Sequence, residues 1–371
     1  MTKYCSVKGL IAFAGAISLL SCVNHRFPSN VHAEEEAIVP VFSTDISTFV
    51  TEVDIYPIDT TVIFSSVTKM VADEKGNLFM LDSRGMIHSL SPDGRRGPLT
   101  LRRGRASNEY TSVMDISYSD GRISILEDSR IKVFDVQNTQ NSLQIELSQV
   151  KDPVDAIASI PGGKFYLFSA YSASTQNDKK EQGDMVRLID SGGRLISESV
   201  PRNDCTFSMN NISQSRNHYY LRPQNSESVF LRLDEETMAP AFKVNFGEKA
   251  MPERYYYDVA GEDIGAYMMS DYYKLPMDYH DTKDYVYCRF CGSQAAECAM
   301  VYSRKNSKSI AWENTRDDSN FRILGSDDDS FILISVNQDG ELGPLGRIIQ
   351  PLLAEKCQIG QGAIVRIKFC F

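Results

Sequence analysis

Along most of the chain a polar turn leads into a short run of β-forming residues. Asp73-Glu74-Lys75-Gly76-Asn77 precedes Leu78-Phe79-Met80-Leu81, and Ser119-Asp120-Gly121-Arg122 precedes Ile123-Ser124-Ile125-Leu126. The theme returns before Phe165-Tyr166-Leu167-Phe168, His218-Tyr219-Tyr220-Leu221, Tyr285-Val286-Tyr287 and Phe331-Ile332-Leu333-Ile334. Turn residues followed by β-branched and aromatic residues predict strands that begin at tight turns. Taking Gly76, Gly121, Gly163, Asn217, Asp284 and Asp329 as markers, the spacings are 45, 42, 54, 67 and 45 residues. A period of about 40 to 50 residues with several strands per unit is the signature of a propeller blade. Most units carry a second turn about 20 residues on, as at Pro92-Asp93-Gly94 and Ser191-Gly192-Gly193. Two hairpin turns per unit are what a four-stranded antiparallel blade needs. The pattern therefore predicts an all-β fold, a six-bladed β-propeller over residues 46–371.

A propeller closes its ring by pairing strands from both ends of the chain. Thr51 to Tyr56 and Ala363 to Phe369 alternate at period two and are the candidates. Residues 342–356 hold a helical pattern limited by Pro344 and Pro351. The longer spacings mark insertions, a polar loop over 172–184 and a second one between about 245 and 282. Residues 22–45 read as a tether, with the acidic run Glu34-Glu35-Glu36 and little periodicity.

The N-terminus follows a different rule. Lys3 and Lys8 precede 12 uncharged, mostly apolar residues, Gly9 to Leu20. A bilayer span needs about 20, so this run suits a secretory signal over residues 1–21. Leu19-Leu20-Ser21-Cys22 resembles a bacterial lipobox, in which the peptidase cuts before a lipid-bearing cysteine. The competing reading is an ordinary signal peptide with an incidental cysteine. Under the lipobox reading Cys22 is the lipid attachment point and the membrane is a partner through that lipid. No second apolar run is long enough to span a bilayer.

Cleavage there removes two lysines and no acids, taking the formal charge from −10 to −12. So acidic a body argues against nucleic acid as a partner. Six cysteines remain beyond Cys22: Cys205, Cys288, Cys291, Cys298, Cys357 and Cys370. An oxidising compartment permits pairing, and 15 connectivities are open. Cys288, Cys291 and Cys298 cluster, but a structural zinc wants four ligands. Free thiols or one disulfide are the expected state, with no metal and no cofactor.

With these features the chain resembles the lipid-anchored six-bladed propeller proteins, NHL- and TolB-like propeller lipoproteins, of gut Gram-negative anaerobes. The first-blade segment Val71 to Asp82 has that group's form. The group's Gly-x-Gly-Pro-Gly-Glu-Tyr loop corresponds to Arg103-Gly104-Arg105-Ala106-Ser107-Asn108-Glu109-Tyr110, in which Gly104, Glu109 and Tyr110 match. The resemblance implies an outer-membrane lipoprotein. Surface-displayed members carry acids just after the lipidated cysteine, whereas here Val23-Asn24-His25-Arg26 follows. That leaves the periplasmic side and the cell surface both open.

No enzyme signature is present. There is no Ser-x-Asp-x-Gly-x-x-Trp box, no Gly-x-Ser-x-Gly elbow and no His-Glu-x-x-His pair. Two features stand out as candidate binding elements. Arg95, Arg96, Arg102, Arg103 and Arg105 fall within 11 residues of an acidic chain, and guanidiniums grip anionic groups. The alternative is a solvated loop whose arginines pair with nearby acids. The second insertion concentrates tyrosines, Tyr255, Tyr256, Tyr257, Tyr267, Tyr272 and Tyr273, with Met268 and Met269 among them. Such side chains suit sugars and protein surfaces, although strand packing also uses tyrosine. The expectation is a non-catalytic binding or scaffold module for a glycan, a peptide or an envelope protein. The alternative is a hydrolase or lyase acting on a polysaccharide or peptide in the central channel.

Overall fold

Each β-forming run found in the sequence becomes the second strand of a blade. The computed structural model describes residues 32–150, 152–169, 184–201, 212–222, 228–252, 264–314, 321–337 and 342–371. An N-terminal strand β1 (Glu35–Ile38) is followed by β2 (Val50–Pro57). Blade 1 is β3 (Val67–Ala72), β4 (Leu78–Asp82) and β5 (Ile87–Leu90). Blade 2 is β6 (Asp115–Ser119), β7 (Arg122–Leu126), β8 (Arg130–Asp135) and β9 (Ser142–Glu146). Blade 3 is β10 (Ala156–Ile160), β11 (Lys164–Phe168), β12 (Asp184–Ile189) and β13 (Leu195–Pro201). Blade 4 is β14 (Ile212–Ser215), β15 (His218–Leu221), β16 (Val229–Leu233) and β17 (Met238–Asn245). A short helix α1 (Ile264–Met268) precedes blade 5, which is β18 (Lys274–Asp281), β19 (Tyr285–Cys291), β20 (Glu297–Ser303) and β21 (Lys308–Glu313). Blade 6 holds β22 (Ile323–Ser326), β23 (Phe331–Val336), the helix α2 (Pro344–Lys356) and β24 (Gly362–Phe369).

The ring closes as the alternating patterns at the two ends require. β2 pairs antiparallel with β24, Tyr56 opposite Ile364 and Val53 opposite Ile367, and forms the outermost strand of blade 6. Buried Ile55, Val365 and Ile367 join Trp312 and Phe331 in one core between blades 5 and 6. The helix starts with Pro344, where a missing N–H costs nothing, and carries Pro351 within it.

Three features depart from the sequence expectation. Blade 1 has three strands, and its fourth is reduced to one bridge between Leu90 and Arg96. Gly94 turns the chain there, and Pro98 and Gly104 soon follow, a poor run for a ladder. The stretch read as a tether also folds in part. Glu35–Ile38 lies parallel to β17 as a fifth strand of blade 4. Its acids are held: Glu34 pairs with Arg232 at 3.2 Å, Glu35 with Arg304 at 3.0 Å, and Glu36 accepts from Asn245 Nδ2 at 2.7 Å. An acidic run looks like solvated linker until cations on two blades are placed beside it. The second insertion ends earlier than the spacing suggested, since residues 274–281 are the inner strand of blade 5. The loop expected over 172–184 lies, except for Asp184, outside the described residues.

Two turns test how tightly the ring is built. Gly94 has φ +84° and a Cβ there would sit 2.4 Å from the Pro57 carbonyl oxygen, whereas Gly121 has φ +73° and open space around it. Gly121→Ala is expected to cost about 1 kcal/mol, the strain of left-handed backbone alone. Gly94→Ala adds a clash with backbone from blade 6 and is expected to cost about 3 kcal/mol. Urea unfolding of both variants measures the difference. Equal costs would mean that the turn moves freely against blade 6.

Candidate functional site

The inner strands β3, β6, β10, β14, β18 and β22 surround the axis. A funnel of about 640 Å³ opens at the ends where they begin, lined by Thr68, Asp115, Ala156, Ile212, Met277 and Arg322, one from each; Arg322 stands just ahead of β22. Apolar side chains make much of the wall: Val113, Met114, Phe168, Met268, Leu275 and Phe290. A second cavity of about 610 Å³ lies at the opposite end, among the first turns of blades 1, 4 and 6. Between the two the axis is closed. The Gln214 amide, from blade 4, accepts from Ala72 N–H at 2.8 Å and donates to Ala72 C=O at 3.2 Å, across the ring in blade 1. Beside it Ser215, Ser326 and Asp281 join blades 4, 5 and 6, with Ser215 Oγ 2.7 Å from the Asp281 carboxylate and 2.9 Å from Ser326 Oγ.

Two ion-pair groups form the funnel floor. Lys69 reaches Asp115 at 2.6 Å. The same Asp115 oxygen accepts Ile157 N–H at 2.8 Å, so one carboxylate ties the inner strands of blades 1, 2 and 3. Burial raises the Asp115 pKa and Lys69 opposes the rise. Asp278 is gripped by Arg322 through Nη2 at 2.6 Å and Nε at 3.0 Å, and by Arg289, which also binds Glu297. Burial would raise the Asp278 carboxyl, but the two guanidiniums hold it well below the usual carboxylate range.

Asp278 reaches this place by local distortion of β18. The strand slips register on both sides of Met277, and Leu275 and Asp278 adopt φ of 51° and 52°. Non-glycine residues in left-handed backbone cost about 1 to 3 kcal/mol and gather at functional sites. Here the bulges aim Leu275, Met277 and Asp278 at the funnel. Below them His280 is buried, with Nδ1 3.1 Å from the Gln214 carbonyl, which it meets as donor. Burial pushes its pKa down to about 4, against the pull of Asp278.

The sequence candidates fare unevenly. Cys22, Cys205 and Tyr255, Tyr256 and Tyr257 lie outside the described residues. Tyr267 belongs to α1. Tyr272 offers its carbonyl to the buried Lys274 ammonium at 3.0 Å. Tyr273 packs on Phe42 with ring centroids 5.6 Å apart and on Phe246 and Phe290. Among the described residues of the insertion, Met268, beside these tyrosines, lines the funnel wall. All five candidate arginines are exposed. Arg95 pairs with Asp93 in its own turn at 3.3 Å, and Arg103 donates to the Thr111 carbonyl at 2.9 Å. Arg95 and Arg96 belong to the turn after β5, while Arg102, Arg103 and Arg105 belong to the next loop. That loop is built by its three matched residues. Gly104 leaves room for Glu109, Glu109 accepts Ala106 N–H at 2.9 Å, and Tyr110 is fully buried. Cys288, Cys291 and Cys298 are buried free thiols whose pKa values burial raises, Cys298 to about 12.

The floor residues Lys69, Asp115, Asp278, Arg289 and Arg322 carry no sequence motif. Their one signal is charge inside a β-forming run, as in Val67-Thr68-Lys69-Met70-Val71.

The titration of His280 has a direct consequence. An unfolded chain protonates this imidazole near its ordinary 6.5, and the folded chain only near 4. The neutral, buried ring therefore stabilises the fold fully above about pH 6.5, and about 3 kcal/mol of that is lost as pH falls to 4. Asp278, with a depressed pKa, keeps its contribution at neutral pH and loses it in more acidic solution, below about pH 4. Urea midpoints of the native protein should fall between pH 6.5 and 4, and His280→Gln should flatten that slope. An unchanged slope would assign it to other groups.

No helix among the described residues is long and apolar enough to cross a membrane. No curated protein matches the chain. Solved structures share its shape, two from Bacteroides among them. A Bacteroides fragilis protein described as exported superposes with a TM-score of 0.67 at 11% identity, covering 91% of this chain and 99% of its own. A Bacteroides vulgatus member of the DUF4221 family gives 0.52 at 9% identity, covering 86% of this chain and 97% of its own. At such identities they show the fold. Residues 100–333 match the 6-bladed beta-propeller family DUF5128, and the chain belongs to that family.

Proposed function

We propose that this protein is a non-catalytic binding propeller, held at the outer membrane through a lipid on Cys22, and that the funnel is its binding site. The observation that carries the reading is the contrast between funnel wall and floor. The wall is lined by Val113, Met114, Met268, Leu275 and Met277, an adaptable apolar surface. Methionine side chains suit partners whose fit varies. The floor is ionic, and Asp278 is already held by two arginines and Asp115 by one lysine.

That pairing speaks against acid–base work by the floor. A general acid needs a pKa near the working pH, and Asp278 stays ionised far below it. His280 is neutral at working pH, but it is committed to Gln214 beneath the floor. A hydrolase or lyase in this funnel therefore gains no support from Asp278 or His280. Between the ligand classes, the wall favours a peptide or a protein segment over a glycan. Sugar stacking uses flat aromatic faces, and among the described residues lining this wall Phe168 and Phe290 are the aromatic ones. The exported Bacteroides fragilis protein of similar shape is consistent with an envelope address.

Peptide display against the immobilised protein tests this. Selected peptides should bind at least tenfold more weakly to Met277→Glu and to Met114→Glu, while Lys75→Glu on the opposite face leaves binding unchanged. Selected binding indifferent to both methionine changes would remove the funnel as the site. Enrichment on a glycan array with none from peptides would overturn the ligand class.

A further inference from the structure

The path of residues 34–46 fixes which way the funnel looks. Glu34 donates its N–H to the Pro240 carbonyl at 3.1 Å and pairs with Arg232, which also holds Asp234 at 3.1 Å. Asp234 opens the turn that joins the two outer strands of blade 4. Glu236 in that turn reaches Lys164 at 2.7 Å, beside the first turn of blade 3. These turns lie at the ends of the blades away from the funnel. The chain then runs along β17, and Val39 donates to the Asn245 carbonyl at 3.0 Å. Phe42 stacks on Tyr273 and meets Phe290, a residue of the funnel wall. Ser43 N–H bonds the Ala311 carbonyl at 2.7 Å, and Ile46 is buried in the core of blades 5 and 6. The segment is a strap that climbs between blades 4 and 5, from the end opposite the funnel at Glu34 to the funnel end at Phe42.

We infer that attachment through the N-terminal segment holds the propeller with its funnel facing away from the membrane. The inference rests on the lipid anchor at Cys22 proposed above. The strap uses eight residue steps, about 27 Å of extended chain, to cross the depth of the ring. From Cys22 to Glu34 there are 12 steps, at most about 40 Å when fully extended and about 20 Å as a relaxed coil. A relaxed tether leaves the end opposite the funnel next to the bilayer. Turning the funnel to the lipid would make the tether retrace the depth of the ring, about 27 Å, which is beyond its relaxed span of about 20 Å and about two thirds of its full reach. The ligand of this funnel is then a peptide or protein segment that approaches from the side away from the anchoring leaflet, not one presented by that membrane.

The test separates the two readings. Intact mass of the protein taken from native membranes reads the anchor: acylation at Cys22 supports it, and an unacylated chain starting elsewhere overturns the anchor and this inference with it. Orientation is read on phosphatidylcholine vesicles, with the chain from Cys22 coupled by that thiol to maleimide headgroups. Cys370, exposed among the described cysteines, and Cys205 are changed to serine for this purpose. A donor dye is placed by an unnatural amino acid either at Lys75, in the first turn of blade 1, or at Ser83, on the funnel rim. Energy transfer to rhodamine headgroups should be at least twofold higher from position 75. Coupling instead through Met114→Cys at the funnel, with Cys22 changed to serine, should reverse the order. Equal or higher transfer from position 83 in the Cys22-coupled protein would overturn the inference and leave the anchor standing.

Discussion

The inner strand of every blade has one edge with no neighbouring strand, and the ring depends on how those edges are satisfied. Six such edges meet at the axis, each offering N–H and C=O groups that burial makes costly. Side chains from other blades supply the partners. Gln214 takes both groups of Ala72, and the Tyr219 hydroxyl accepts from Tyr118 N–H at 2.6 Å and donates to its C=O at 3.0 Å. Asp115 takes Ile157 N–H, and Ser117 Oγ takes Ser159 N–H at 2.6 Å. Hydrophobic faces stack the blades, but they are non-directional. These bonds give the stack a register, since each polar side chain fits one backbone position on one other blade.

The same logic explains why the charges sit where they do. Arg304 leaves β20 and binds Asp281 at 2.8 Å, the Thr282 carbonyl, and Glu35 on the strap. One guanidinium thereby links the axial network to the rim. A partly buried pair of this kind specifies geometry more surely than it adds stability. The closing strand β2, the strap and the helix α2 then cover blades 4 to 6, so the half of the ring holding both chain ends is the more heavily tied.

Much of this fold is readable in the sequence because a blade repeats local chemistry. Gly76, Gly121 and Gly163 all have positive φ, as their turns demand, and the run after each is a strand of its blade. The period-two alternation of Ala363 to Phe369 predicts the closing pair for the same local reason. The strap defeats such reading. Glu34-Glu35-Glu36 has the composition of a linker, and only Arg232, Asn245 and Arg304, some 200 to 270 residues away, make it structure. The funnel is hidden for a related reason. Lys69, Asp115, Asp278 and Arg322 come from four blades, and Asp278 depends on two bulges that no periodicity announces. Of the clusters that stand out in one dimension, the arginines near Gly104 lie on the surface, and among the described tyrosines near Met268 Tyr273 packs on Phe42, Phe246 and Phe290.

The Gln214 crossing has a consequence for what kind of molecule can be engaged. With blade 4 bonded to blade 1 across the axis, the propeller is a cup and not a tube. A long polymer cannot be threaded from one face to the other, and nothing can be handled processively along such a route. Whatever enters must leave by the same mouth, so a guest has to present an end, a tight loop or a protruding side chain.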